Sequence, residues 1–271
     1  MLDRFDCYEL CVQSPRHIVA MLAAIHGNEP LVLREDFCGT AAVSRRWVSE
    51  APDRRALAID LDAQTLAKAK SLAEATCLQH EQQITFHVGD CIGESAISPA
   101  TESAADIIFV GNFSIGYIDD RATLVHYLAA CKGRLDRGNG GFGGGVFCCD
   151  IYGGASSFRL GGIERRHPSR GKEIIRYQWL HEAADPRTAL VVNSISFRVE
   201  LDGEIVQELP RAFVYTWRLW SLRELTDAML EAGFADVQVY KDLNIAPGEP
   251  AAPVQSAEEL GEDWVVLVAA R

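Results

Sequence analysis

No apolar run in this 271-residue chain approaches the ~18 uninterrupted residues that a membrane-spanning helix needs. A helical membrane protein is therefore not expected. The opening stretch, Met1 to Cys7, is already charged and has no apolar segment, so no secretory leader is expected either. Eight cysteines are present, but none forms a CxxC element, which argues against a zinc site, and no metal is expected. Without a leader they read as reduced, mostly buried thiols of a cytoplasmic protein. Positive charge is scarce: 26 Lys and Arg face 38 Asp and Glu, a net charge of −12. Such a surface repels phosphate backbones and disfavours nucleic acid as a partner. The densest basic stretch runs from Arg159 to Arg176 and holds Arg165, Arg166, Arg170 and Lys172. It reads either as an anion contact or as a solvated loop. The glycine-rich run Gly138–Gly145 precedes a strand instead of opening a helix. It is expected to be a flexible turn and not a phosphate cradle.

What is present is an ordinary globular mix, 48% apolar and 24% charged, with one pattern up to residue 150 and another beyond it. Short apolar runs at 31–33, 55–60, 84–88, 106–110 and 145–149 alternate with helix-like stretches. Helices are expected after Gly39, after Asp62 as an N-cap, and from about Asp119 to Leu135. Strand–helix alternation predicts βαβ units, and right-handed crossovers then place helices on both faces of a parallel sheet. Beyond Asp150, the segments Ile174–Leu180, Ala189–Leu201 and Glu204–Val206 are rich in β-branched and aromatic residues. Turn signals stand at Asp185-Pro186 and Asp202-Gly203. Residues 159–218 are therefore expected to form an antiparallel β insertion. Ser221 should cap a last helix that Gly233 ends. Strands at 237–240 and 264–268 follow, with a mobile loop from Ala246 to Pro253 between them.

Four segments carry candidate chemistry. Val32–Ala41 is a strand, a tight turn containing Gly39, and a helix start, which lets a ligand approach backbone amides. Asp60 ends the second strand 21 positions after Gly39, where a carboxylate can accept two hydrogen bonds from a ribose diol. That spacing suits a dinucleotide fold equally well. Val88-Gly-Asp90-Cys91 closes the third strand, and Val110-Gly-Asn112-Phe113-Ser114 leaves the fourth. Taken in this order, the four resemble the class I S-adenosylmethionine-dependent methyltransferases. Cys38-Gly39-Thr40 match the first motif of that family directly. Phe37 and Ala41 stand where the family has glycines, and Asp36 where it has an apolar residue.

The resemblance covers residues 28–150 well and 221–271 in outline. It implies a doubly wound, mostly parallel seven-stranded α/β sheet whose last strand is antiparallel, with the β insertion after the fifth strand. It implies S-adenosylmethionine as cofactor. Glu35 takes the position of the family's acidic residue at the methionine end, with Arg34, Phe37 and Gly39 in the same turn. Asp60 and Leu61 fall at the ribose, Asp90 and the Cys91 backbone at the adenine, and Asn112 and Phe113 beside the transferring methyl. Tyr8-Glu-Leu-Cys-Val-Gln13, Asp150-Ile-Tyr-Gly-Gly154 and Tyr215-Thr-Trp-Arg-Leu-Trp220 add the look of a narrower subgroup of unassigned substrate. Residues 1–27 are expected to be a helical lid segment that brings Tyr8 to the cofactor. Residues 28–158 and 219–271 form the expected core, and 159–218 a substrate cover or dimer contact.

A sulfonium methyl is already activated, so such an enzyme needs alignment and desolvation more than a nucleophile. Asp150 and Tyr152, at the carboxyl end of the fifth strand, are the candidates for a base or an acceptor-orienting pair. A turn cap and a packing ring are their plainer readings. Phe113, Tyr117, Tyr152 and Trp220 offer aromatic faces to a cation, and His167 is a lesser candidate in the insertion's polar loop. Alternation in the insertion makes one face aromatic and the other polar. A small-molecule amine or hydroxyl is the expected methyl acceptor. A non-catalytic cofactor- or partner-binding member of the fold is the alternative. A nicotinamide-dependent oxidoreductase fares worse, because the Arg34–Ala41 turn lacks GxGxxG.

Overall fold

The computed structural model describes residues 1–77, 80–92, 104–138, 144–256 and 259–271. Most of the glycine-rich run, residues 139–143, lies outside them. In chain order the helices are α1 (Arg4–Cys11), α2 (Pro15–His26), α3 (Ala42–Val48), α4 (Ala63–Thr76), α5 (Arg121–Leu135) and α6 (Leu222–Glu231). The first five strands are β1 (Val32–Asp36), β2 (Arg55–Asp60), β3 (Ile84–Val88), β4 (Ile107–Val110) and β5 (Val146–Gly154). The others are β6 (Gly161–Pro168), β7 (Ile174–Asp185), β8 (Leu190–Leu201), β9 (Glu204–Arg218), β10 (Val237–Tyr240) and β11 (Asp263–Ala270). The chain divides into two compact units, an α/β unit of residues 15–154 and 220–271 and a four-stranded unit of residues 1–14 and 155–219. The N-terminal segment read as one piece is shared between them, α1 in the second and α2 in the first.

In the α/β unit seven strands run in the order β3-β2-β1-β4-β5-β11-β10. β11 lies antiparallel to both β5 and β10, and the other pairs are parallel. Strands covered on both faces read as nearly continuous apolar runs, as Ile107–Val110 and Val146–Cys149 do, whereas β1 carries Arg34, Glu35 and Asp36. Leu33, Phe109, Cys148 and Leu267 point into the layer of α2, α3 and α4. Val110, Phe147, Cys149 and Val268 point into the layer of α5 and α6. Asp62 caps α4 through the Gln64 N–H, as expected. Ser221 and Glu224 form a reciprocal capping box on α6. Gly233 closes α6 at φ 101°, where the Phe234 N–H reaches back 3.1 Å to the Met229 carbonyl. No helix among the described residues is long and apolar enough to cross a membrane.

One boundary differs in a way that matters. β5 does not end at Cys149 but continues to Gly154, held by β11 through the pairs Leu267↔Asp150 and Val265↔Tyr152. Asp150 and Tyr152 are thus strand residues and not loop residues.

The four-stranded unit is an antiparallel sheet in the order β6-β7-β8-β9. Asp202 and Gly203, at φ 52° and 89°, make the two-residue hairpin between β8 and β9. β9 runs far past the expected Val206, to Arg218. β6 forms where the sequence predicts polar loop: almost all its residues are exposed and three are charged, so this edge strand shows no apolar alternation. α1 lays Cys7 and Tyr8 on the sheet's apolar face among Ile175, Phe197 and Phe213. The opposite face is polar. Arg166, Arg176, Arg198 and Glu208 are aligned across it, and both Arg166 and Arg176 bond to Glu200. The basic stretch is thus partly answered by carboxylates of its own sheet. His167 lies on β6, edge-on to Tyr177 at 6.2 Å between ring centroids.

Candidate functional site

β1 has β2 on one side and β4 on the other, so successive connections leave it in opposite directions. The crevice beyond the carboxyl ends of β1 and β4 is where open α/β sheets take ligands. Between β1 and α3 the backbone is left-handed at Phe37, Gly39 and Ala41, with φ of 54°, 55° and 54°. A side chain in that region costs roughly 1–2 kcal/mol per residue, so the turn keeps a glycine-like path at two positions without glycine. A Cβ built on Gly39 would meet no atom within 4 Å, so its backbone faces open space.

The bend is tied to β2. The Cys38 N–H donates to the Ile59 carbonyl at 2.9 Å, and the Gly39 N–H to Asp60 Oδ2 at 2.8 Å. Asp60 Oδ1 accepts the Asp62 N–H at 2.9 Å. The carboxylate is half-buried, and burial pushes its pKa up while the Asp62 and Gly39 N–H groups hold it down. Each oxygen carries two lone pairs, so acceptor capacity is left for a diol.

Arg34 and Glu35 do not line this crevice. Strand alternation turns them into opposite packed layers. Glu35, 5% exposed, accepts both the backbone N–H and the hydroxyl of Ser44, the third residue of α3. It supplies the cap that Ala41 lacks. Burial pushes the Glu35 carboxyl up to about 7 against the pull of those Ser44 donors. A raised carboxyl pKa means that stability falls as pH rises from the unfolded value near 4.5 to about 7, and is flat above. The drop is at most ~3 kcal/mol. Glu35→Gln should therefore melt like the parent near pH 4.5 and higher than it at pH 8, as read by paired thermal scans. Equal melting at pH 8 would refute this reading. Arg34, 1% exposed, donates from Nε to Asp36 Oδ1 at 2.8 Å, and the Tyr127 hydroxyl donates to Asp36 Oδ2 at 2.8 Å. The odd Asp36 of the motif is thus half of a buried ion pair below the bend.

The exits of β3, β4 and β5 complete the crevice rim. Asp90 accepts the Ile92 N–H at 2.8 Å, which shapes the turn after β3. Cys91 is buried with Leu57 and Ile59, and Phe37 and Ile92 pack on that cluster. Leu61, beside Asp60, is 72% exposed. After β4, Asn112 and Phe113 are both left-handed, at φ 55° and 62°. Their two N–H groups point at one carboxylate, Asp150, at 3.0 and 2.6 Å. Desolvation pushes Asp150 up to about 6, against those two donors. The candidate base is thus engaged as the clamp of the β4 exit. The Phe113 ring meets Tyr152 edge-on at 4.8 Å.

Of the residues singled out from sequence, Phe37, Gly39, Asp60, Leu61, Asp90, Cys91, Asn112, Phe113, Asp150 and Tyr152 come together at one edge of the sheet. Tyr8 belongs to the other unit, where its ring lies 4.9 Å from Phe213. Trp220 is 2% exposed and donates its indole N–H to the Ile118 carbonyl, so it is core. Ser44 and Tyr127, which hold Glu35 and Asp36, were not foreseen. Tyr127 lies 91 residues from its partner, and no local pattern could have marked it.

No protein-family model matches the chain, and no curated protein matches it by sequence. Solved structures do match its fold over nearly its whole length. An S-adenosylmethionine-dependent methyltransferase from Clostridium acetobutylicum gives a TM-score of 0.66 at 16% identity, covering 97% of this chain and 95% of that one. An amino pentose methyltransferase from Micromonospora echinaspora, solved with S-adenosylmethionine bound, gives 0.66 at 14%, covering 100% and 98%. A sugar N-methyltransferase from a Streptoalloteichus species gives 0.65 at 15%, covering 100% and 94%. The chain has the α/β fold of these methyltransferases, including the antiparallel β5-β11-β10 edge and a separate antiparallel sheet.

Proposed function

We propose that this chain is an S-adenosylmethionine-dependent methyltransferase acting on a small-molecule amine or hydroxyl. The single observation that carries the reading is the 2.8 Å bond joining the Asp60 carboxylate to the Gly39 N–H at an open left-handed bend. In this reading Asp60 accepts from the ribose hydroxyls, Asp90 and the Cys91 backbone meet the base, and the Gly39 turn receives the amino-acid tail. The bound cofactor supplies a methyl already activated on its sulfonium. The protein's part is to align and to exclude water. Asp150 contributes by fixing the Asn112–Phe113 exit, and Tyr152 by the ring it sets against Phe113. The two sugar-directed neighbours favour an amino sugar among possible acceptors.

Calorimetry against S-adenosylhomocysteine and NAD, followed by a labelled-methyl screen of amino sugars and simple amines, tests this. S-adenosylhomocysteine should bind, NAD should not, and label should appear on an amine. Binding of neither nucleotide would end the proposal. Binding without transfer to any acceptor would leave a cofactor-binding protein without turnover.

A further inference from the structure

Phe37 is a bulky residue held at φ 54° where the turn would accept glycine without strain, and its half-buried ring packs on the edge of the Leu57, Ile59 and Cys91 cluster. It stacks on Tyr117, with centroids 6.0 Å apart and planes 19° apart, and Tyr117 is 44% exposed. Backbone strain retained at a ligand crevice points to a use for the side chain that requires it. Two near-parallel rings at this spacing leave no gap for a third, so a ligand stacked here must meet the Tyr117 face turned away from Phe37.

The charged side chains singled out at the crevice rim are carboxylates. Asp60 ends β2, Asp90 follows β3, and Asp150 lies within β5 with its oxygens on the Asn112 and Phe113 N–H groups of the β4 exit. The nearby guanidiniums are turned away: Arg34 is buried on Asp36, and Arg45 is buried with its Nε on the Thr40 carbonyl. An aromatic face amid carboxylates attracts a cation. Position selects which cation. If the nucleoside lies over the β2 and β3 exits, the rest of the molecule extends across the exits of β1 and β4, where Phe37 and Tyr117 sit.

We infer that the Phe37–Tyr117 stack seats the sulfonium and lets the enzyme distinguish the charged cofactor from its neutral product. This rests on the methyltransferase reading. A neutral thioether lacks the charge that the ring quadrupole attracts and keeps only the weaker sulfur–aromatic contact, so the stack relieves product inhibition by favouring exchange of S-adenosylhomocysteine for S-adenosylmethionine.

The test is the ratio of two dissociation constants, measured by calorimetry on the full chain for S-adenosylmethionine and S-adenosylhomocysteine. Tyr117→Leu should weaken S-adenosylmethionine by about 3- to 30-fold and leave S-adenosylhomocysteine within twofold, which also shows that the variant is folded. Tyr117→Phe keeps the face and should keep the ratio. Equal weakening of both ligands in Tyr117→Leu would overturn the inference, because it signals purine stacking or general damage. So would a Tyr117→Phe variant that behaves like Tyr117→Leu. If the parent protein binds neither ligand, the methyltransferase reading itself fails, a result distinct from either of these.

Discussion

Asp60→Ala weakens S-adenosylhomocysteine binding by about 10²- to 10⁴-fold. The magnitude follows from losing two hydrogen bonds between a diol and an ionised acceptor, each worth ~1.5–3 kcal/mol. A second effect has the same cause. The carboxylate also receives the Gly39 and Asp62 N–H groups, so the substitution leaves both donors without it. The bend then loses its tie to β2, and stability should drop by ~1–3 kcal/mol. Asp60→Asn keeps one acceptor oxygen and should fall between parent and alanine in affinity. Calorimetry gives the first quantity and denaturant unfolding the second. An alanine variant that binds within threefold of the parent would show that the carboxylate holds the turn and nothing more.

Arg34→Met should destabilise the protein by ~3–5 kcal/mol, because it strands a buried carboxylate with Tyr127 as its known remaining donor. The double variant Arg34→Met with Asp36→Leu removes both charges and should recover most of that loss. An apolar pair of similar volume in a packed layer is often neutral relative to a buried ion pair. Denaturant midpoints of the parent, single and double variants decide the matter. The informative comparison is the sign of the step from single to double. If the double variant is less stable than the single, the pair stabilises the fold beyond mutual neutralisation. If Arg34→Met costs under 1 kcal/mol, Asp36 is relieved by a group other than this pair.

How far the sequence reached depends on the range of the interaction. Elements set by local rules were readable in advance. Asp62 and Ser221 mark their helices by capping, Gly233 ends one, and Asp202-Gly203 turns a hairpin. The crevice rim was also readable. Asp60, Asp90 and Asn112 each end or follow a strand, and a parallel sheet brings its carboxyl ends to one edge. The direction of side chains near the motif was not readable. Glu35 looked like a ligand contact, yet it caps α3 because Ala41 cannot. Asp150 looked like a free base at a strand exit, yet β11 extends β5 past it and two left-handed residues of another strand exit aim their N–H groups at it. The edge strand β6 escaped notice for the opposite reason: charged residues on an exposed edge have no apolar period. Tyr8 depended on which unit α1 joins, and that is decided by Cys7 packing among Ile175 and Phe197 from the far half of the chain.

A crystal structure with S-adenosylhomocysteine bound would reach the centre of this account. Both ribose hydroxyls should lie ~2.7–3.2 Å from the Asp60 oxygens, with the amino-acid end of the ligand against the turn at Gly39. A nucleoside found elsewhere on the protein, or one whose sugar leaves Asp60 untouched, would contradict it.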